Sequence, residues 1–493
     1  MTDSAQVDRV EVEAVNSKAR RVMYKARESI HPMRVQGVFR RLKWWIMAVT
    51  LAIYYITPWL RWDRGEGMPD QAVLVDLQHR RFFFFFIEIW PQEFYYVAGL
   101  LIMAGIGLFL LTSSLGRAWC GYACPQTVWV DLFVHVERWI DGDRNARFRL
   151  EKAPWTGSKI LKRLAKFSIW LLISVATGGA WIFYFADAPT LFVDVFTGQA
   201  ATVAYSTVAV LTATTFVFGG LMREQVCTYM CPWPRIQAAM LDENSLVVTY
   251  NAYRGEPRGR HRKAADAAAA PVGDCIDCNR CVAVCPMGID IRDGQQLECI
   301  TCALCIDACN DIMHRTGGTP NLISYASLKG YEAAAKGEPA PSLKQTIFRA
   351  RTLIYTGLWS LIGIGMLIAV ATRDQLDISV LHDRNPQFTI LSDGSIRNGY
   401  TVKLLNMDQV EKRVRLEIVG LPGGLMTVSG DDFWPSVGRE FVLPADKVEQ
   451  ARIFISAPRE GLEPGSNGFR LLLTVIGSTE RASYDAKFFT PER

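Results

Sequence analysis

Long stretches without charge alternate with basic ones over the first three quarters of the chain, and short runs of alternating polar and apolar residues replace them towards its end. Crossing a bilayer takes about 20 helical residues. The pattern therefore predicts spans at roughly 42 to 60, 94 to 115, 167 to 186, 199 to 221 and 353 to 371. The second contains "GLLIMAGIGLFLLTSSLG", whose small residues suit close helix packing, and the last, "LIYTGLWSLIGIGMLIAVA", has no charge at all. The fourth is rich in Thr, yet a buried soluble helix rarely runs so long without a charge.

After residue 385 the runs "VRLEIVG", "ARIFISAP" and "FRLLLTVIG", set between turns such as "LPGG" and "SDGS", predict a β-sandwich of immunoglobulin-like type without an inter-sheet cysteine pair. Two stretches rich in Ala, Gly, Pro and charge, 255 to 273 and 330 to 342, read as linkers with nothing to bury. The stretch "RRFFFFFIEIWPQEF", 80 to 94, has too few apolar residues to cross. An aromatic belt at the membrane interface is favoured there over a re-entrant or quinone-contacting segment. The resulting division is a basic segment 1–41, a four-span membrane domain 42–221, a cysteine-rich domain 222–350, a fifth span 351–372 and a β-domain 373–493.

Charge adds an orientation. Lys and Arg number ten in residues 1 to 43, ten in 116 to 166, four in 61 to 92 and none in 187 to 198. Basic loops stay on the cytoplasmic side, so the N-terminus is placed inside. Five crossings then put the cysteine-rich block inside and everything after residue 372 outside. The first forty residues hold no apolar core, so no cleavable signal peptide is expected. A net charge of +5 over 493 residues suits an anionic membrane surface and gives no reason to expect nucleic acid.

All 12 cysteines lie at or before Cys309, a segregation that argues for reduced ligands and against a disulfide scaffold. Eight of them form "CIDCNRCVAVCP" (275 to 286) and "CITCALCIDACN" (299 to 310). Three thiolates of a 4Fe-4S cube can come from one C-x-x-C-x-x-C loop, but the fourth must come from further away, and in two-cluster ferredoxins it is exchanged between copies. Cys275, Cys278, Cys281 and Cys309 are thus expected to hold one cluster, and Cys299, Cys302, Cys305 and Cys285 the other. Zinc sites or disulfides are the competing reading, but zinc knuckles have no need of this repeated run with Pro286 behind it. Asn310 stands where a second Pro would usually follow.

The remaining thiols form "WCGYACP" (Cys120, Cys124) and "VCTYMCP" (Cys227, Cys231), each just after a span and beside Arg117 or Arg223. On a continuous helix the two sulfurs of a pair share a face, and the pairs can converge into a four-thiol site at the membrane surface. Soft thiolates suit Cu(I), zinc or an iron-sulfur centre, and a neighbouring Arg is expected to lower their pKa. A metal site, a reversible dithiol and inert buried cysteines all remain open. None of His31, His79, His135, His261, His314 and His382 falls in a predicted span, so no membrane haem is expected. His135 reads as a surface residue near Asp131.

Beyond the spacing, the chain resembles the cytochrome c oxidase accessory family CcoG, also called FixG or RdxA. The resemblance covers nearly the whole chain and rests on "DQAVLVDLQHRRFFFFF", "IWPQEFYY", "GRAWCGYACPQTVWVD", "REQVCTYMCPWPRIQAAMLD", the two-cluster block and the β-rich end. It implies a multi-pass protein of the bacterial inner membrane with two 4Fe-4S clusters inside and the β-domain in the periplasm. It further implies a part in assembling cbb(3)-type oxidase by reducing Cu(II) to Cu(I), with copper-transfer proteins and oxidase subunits or assembly factors as partners. The eight cluster ligands and the reactive thiols Cys120, Cys124, Cys227 and Cys231 carry over, without telling which thiols touch copper. Two other roles fit the same residues: a quinol-linked electron-transfer subunit and a non-enzymatic assembly scaffold. The sequence leaves open whether the chain forms a homo-oligomer.

Overall fold

The computed structural model describes residues 8–16, 28–65, 68–259, 272–339, 341–430 and 434–492. The basic residues Lys18, Arg20, Arg21, Lys25 and Arg27, and most of the expected linker 255–273, lie outside them. Helices α1 (Val38–Ile56), α2 (Tyr95–Leu115), α3 (Pro125–Asp141), α4 (Arg144–Lys152), α5 (Gly157–Ile182), α6 (Ala188–Thr197) and α7 (Thr202–Thr215) build the membrane part. A π-helical turn, Phe216–Met222, carries α7 onward.

Among the described residues four helices are long and apolar enough to cross a membrane: Pro91–Leu115, Gly157–Ile182, Thr202–Met222 and Ala350–Ala371. The first expected span is α1, which starts earlier than its apolar run and takes in Arg40, Arg41 and Lys43. It packs on α3 and α5. At one end Arg40 reaches Asp131 of α3 at 2.8 Å, and near the other Tyr54 donates to the Thr177 carbonyl of α5 at 2.7 Å. The expected span 167–186 corresponds to α5, which begins ten residues sooner because its lysines are paired. Lys159 donates to the carbonyls of Glu151 and Ala153, and Lys166 bonds Glu137 and Asp141. Leu101, Leu161, Leu172, Leu361 and Leu367 stay exposed along these helices, as lipid-facing residues must.

The five phenylalanines lie in and beside a small antiparallel sheet. Strands β1 (Val73–Asp76), β2 (Arg81–Phe84) and β3 (Ile87–Ile89) pair antiparallel, with Phe83 opposite Leu74 and Glu88. Side chains alternate between the faces of a strand, so Phe83 is buried while Phe86, past the strand end, is 75% exposed. Arg64 anchors the sheet by donating to the carbonyls of Phe85, Pro69, Gln71 and Ala72.

Past the π turn come α8 (Trp233–Met240), β4 (Val247–Tyr250), the short α9 (Ala252–Gly255), α10 (Arg280–Ala283), α11 (Leu304–Thr316), β5 (Ile323–Ala326) and α12 (Leu328–Ala335). β4 pairs with β5 beneath the cysteine runs. The expected linker 330–342 is in part α12, since its Ala-rich stretch has high helix propensity and Ser327 caps it by accepting from Gly330 N–H. α13 (Leu343–Ile347) leads into α14 (Ala350–Ala371), and Arg349 fastens that junction to Asp242 at 2.5 Å.

The second compact unit, 367–493, is the expected sandwich. Its strands are β6 (Leu376–His382), β7 (Thr389–Ile390), β8 (Ile396–Asn406), β9 (Lys412–Val419), β10 (Leu425–Val428), β11 (Gly438–Leu443), β12 (Lys447–Ala457), β13 (Ser466–Val475) and β14 (Arg481–Phe489). They make one sheet in the order β10-β12-β8-β6, with β7 on β8, and another in the order β11-β9-β13-β14. Val402, Leu404, Leu416, Leu471 and Phe488 fill the space between. Without cysteines, polar links join the layers: Tyr400 donates to the Lys487 carbonyl at 2.8 Å, and the Asn398 amide donates to the Phe489 carbonyl at 2.9 Å.

Candidate metal centres

The two cysteine runs repeat one backbone as well as one spacing. Asp277 and Asn279 in the first, and Thr301 and Ala303 in the second, have φ between 52° and 60°. Such values are uncommon for any residue with a side chain and a clear outlier for a β-branched one. A loop bent this way in both copies is shaped around something. The third thiol of each run then lies in a helix, Cys281 in α10 and Cys305 in α11, with Cys309 one turn further along α11. Asn310 continues that helix, and its side-chain oxygen accepts from the Asn321 N–H at 2.7 Å.

The structure brings cysteines of the two runs together. Cys281, Cys285, Cys299, Cys302 and Cys305 line one cavity together with Ile289, Ile300 and Ala303. Burial pushes Cys285 up to about 12, and Cys302 and Cys299 beside it push the same way. Cys309 is likewise pushed up to about 12 by burial and then by Cys278 and Cys275. Burial raises Cys278, Cys281, Cys299 and Cys305 too. Bare thiolates are therefore disfavoured here, and an iron-sulfur core supplies the positive charge that makes them stable ligands. Among the described residues no three His, Cys, Asp or Glu side chains are grouped to hold a single metal ion.

A feature invisible in the sequence covers both runs. Val10 N–H donates to the Cys278 carbonyl at 3.1 Å, Asn16 N–H to Gly288 at 3.0 Å and Met33 N–H to Ala283 at 2.8 Å. Arg9 pairs with Asp277 at 2.9 Å, and Val12 and Ala14 pack on the apolar cluster around Cys275 and Cys281. The described parts of the basic N-terminal segment thus belong to the cysteine-rich domain rather than standing apart from it.

The C-x-x-x-C-P pairs depart from the expected geometry. Each occupies a π-helical turn, Trp119–Ala123 or Val226–Met230, and the second cysteine leaves the helix, since the residue before a proline is disfavoured in helical conformation. Pro125 then opens α3 and Pro232 caps α8. Cys120 and Cys227 nonetheless share one apolar cluster with Cys285, Cys299, Cys302 and Cys305. Burial pushes Cys120 up to about 12, Cys124 adds to it, Arg117 pulls down without prevailing, and Cys227 and Cys231 push up again. Cys227 is raised to about 12 by burial and by Cys124 and Cys231. The expected lowering by arginine is therefore reversed, because desolvation outweighs it. Arg223 pairs with Glu137 at 2.8 Å, and Arg117 donates to the carbonyls of Leu297, Cys299 and Pro234.

Contact between pair and cluster loop is direct. The Cys120 thiol donates to Gln237 Oε1 at 3.0 Å, and Tyr122 donates to the Cys302 carbonyl at 3.2 Å. A Cβ on Gly121 would lie 2.7 Å from the Ile300 carbonyl oxygen and 3.1 Å from both N and Cα of Cys302. Those are backbone atoms that cannot swing away. Gly121→Ala is expected to cost about 1 to 3 kcal/mol, as overpacking does. A drop in the thermal midpoint of the cluster-loaded protein checks this, and an unchanged midpoint would mean that the turn does not seat on the loop. His135 is exposed, as expected, with its ring edge-on to Trp44 at 4.7 Å.

Comparison with known proteins bears on the same segments. Residues 222–328 match the family described as 4Fe-4S dicluster domain, and 97–143 the 4Fe-4S binding domain. Residues 366–491 match the IG-like fold at C-terminal of FixG. Nitrogen fixation protein FixG of Rhizobium meliloti (strain 1021) is 57% identical over 511 residues, covering 99% of this chain and 98% of that protein. Proteins RdxB and RdxA of Cereibacter sphaeroides are 53% and 52% identical, covering 94% and 93% of this chain and 97% and 96% of their own.

Proposed function

The chain belongs to the FixG/RdxA family of membrane iron-sulfur electron-transfer proteins, and on that footing we propose that it reduces Cu(II) to Cu(I) for assembly of a cbb(3)-type oxidase. Cys275, Cys278, Cys281 and Cys309 hold one 4Fe-4S cluster, and Cys299, Cys302, Cys305 and Cys285 the other. Bound there, the clusters supply single electrons. Cys120, Cys124, Cys227 and Cys231 receive the copper substrate. The observation that carries this reading is the seating of the first thiol pair on the second cysteine loop, at Gly121 and Tyr122.

Each turnover adds one electron to Cu(II) and takes one from the iron-sulfur domain. Thiol ligands favour the reduced ion, so they pull the copper potential in the direction that makes it the acceptor. The apolar surroundings of Cys120 and Cys227 keep water out, and the contact through Gly121 keeps the path short. The distribution of basic residues supports placing this domain on the cytoplasmic face of the inner membrane and the sandwich in the periplasm, facing copper-transfer proteins or oxidase subunits.

The test uses full-length protein, purified anaerobically, reduced and freed of excess reductant before Cu(II) and a Cu(I)-specific chelator are added. Chelated Cu(I) is expected to form at a rate that falls to background in Cys120→Ser/Cys227→Ser, while the paramagnetic resonance of both reduced clusters persists. An undiminished rate in that variant removes the thiols from the reaction. A wild-type rate no better than that of cluster-free protein overturns the activity itself.

A further inference from the structure

Where α1 meets the segment before it, an open cavity of about 850 Å³ lies between Arg34, Arg41, Trp44, His135, Arg138 and Trp139. Arg40 also lines it but is committed to Asp131 at 2.8 Å, and Arg138 donates to the Pro32 carbonyl at 3.0 Å and lies 3.9 Å from Asp143. Asp143 in turn accepts from the backbone N–H of Arg34, not from its guanidinium. Among the described residues the guanidinium groups of Arg34 and Arg41 meet no carboxylate. The His135 imidazole is held below its usual pKa by partial burial and then by Arg40 and Arg138, whose charges resist a further cation beside them.

Two features say what kind of anion fits. The apolar run of α1 begins directly after Lys43, so the cavity stands at the depth where the helix passes from water into hydrocarbon. Beside it Val38, Leu42, Trp45 and Val49 are exposed on α1, and Trp139 is 77% exposed on α3. Tryptophan concentrates at that depth, and paired N–H groups of arginine match the oxygens of a phosphate. We propose that this cavity binds the phosphate head group of an anionic phospholipid, with its acyl chains lying along the exposed face of α1.

The site is wired to the cysteine-rich domain. The Arg40 backbone N–H donates to the carboxylate of Asp307 at 2.7 Å, and Asp307 sits in α11 between Cys305 and Cys309. A lipid that fixes the start of α1 therefore also fixes α11.

The experiment is independent of copper chemistry. Delipidated full-length protein in detergent is titrated with phosphatidylglycerol, phosphatidylcholine, glycerol phosphate or inorganic phosphate, and binding is read by native mass spectrometry and by thermal midpoint. Phosphatidylglycerol is expected to bind and raise the midpoint, with the other three weaker by at least tenfold. Arg34→Gln/Arg41→Gln is expected to fold normally, since neither side chain is in an internal ion pair, and to bind phosphatidylglycerol at least tenfold more weakly, the scale set by two surface arginines. Equal affinity in the variant overturns the proposal. So does phosphatidylcholine binding as well as phosphatidylglycerol, and so does inorganic phosphate or glycerol phosphate giving the full shift, which would assign the cavity to a soluble phosphate ester.

Discussion

Cys309→Ala is expected to remove one cluster and leave the other, taking about half the iron and acid-labile sulfide with it. The side chain lies in α11 beside Cys305, only four residues away, yet after burial the next causes of its raised pKa are Cys278 and Cys275 of the distant run. Alanine keeps the apolar packing of α11, because a free cysteine behaves as a small hydrophobic residue. Double substitutions make the exchange visible as a failure of additivity. Cys278→Ala/Cys309→Ala should lose no more iron than either single change, since both belong to one site. Cys302→Ala/Cys309→Ala should lose both clusters. Cys285→Ala should pair in the same way with Cys302→Ala and not with Cys278→Ala. If instead Cys278→Ala/Cys309→Ala abolishes both clusters and Cys302→Ala/Cys309→Ala only one, each run holds its own cube and the exchanged assignment is wrong.

The second large effect is expected away from the thiols, at Glu137 on α3. Its carboxylate bonds Arg147 of α4, Lys166 of α5 at 3.3 Å and Arg223 at the end of the α7 π turn at 2.8 Å, all nearly out of contact with water. One side chain thus ties four segments together. Glu137→Gln leaves three buried cations with Asp141 as the remaining carboxylate near Lys166. Breaking a buried pair by removing one partner costs about 3 to 5 kcal/mol, mostly the penalty of the stranded charge. The thermal midpoint in detergent should fall steeply, and adding Lys166→Met should recover part of the loss. A shift no larger than that of a surface substitution would mean that the cations find water instead. Burial would raise the Glu137 carboxyl, but Arg223, Arg147 and Lys166 hold it down to about 2 from an ordinary 4.5. A depressed folded pKa stabilises fully above the unfolded value. The contribution is therefore complete above pH 4.5, declines below it and is gone once the pH has fallen through about 2. It is absent from Glu137→Gln at any pH.

Much of this was legible because it is written in periods and spacings. Charge-free runs gave the apolar helices, alternation gave the sandwich, and cysteine spacing gave the two-cluster iron-sulfur domain. What escaped depends on other kinds of information. Five phenylalanines in a row have no period, so the strands they join are not visible in the pattern. The break at Cys124 and Cys231 was in fact available in Pro125 and Pro232, and the assumption of a continuous helix overrode it. Arginine beside a thiol suggests a lowered pKa only while both are wet, and burial of Cys120 and Cys227 is a property of the assembled fold. Two of the three basic residues opening α1, Arg40 and Lys43, obscured its start because their partner, Asp131, is supplied by another helix.

The side-chain bonds that tie Val10 and Asn16 to the first cysteine loop join positions 269 and 271 residues apart. Residues 8–16 are therefore fixed in place only after the helices between them and the first cysteine run have been synthesised. Membrane insertion and closure of the iron-binding part are separate events in time, and the earlier cannot wait for the later.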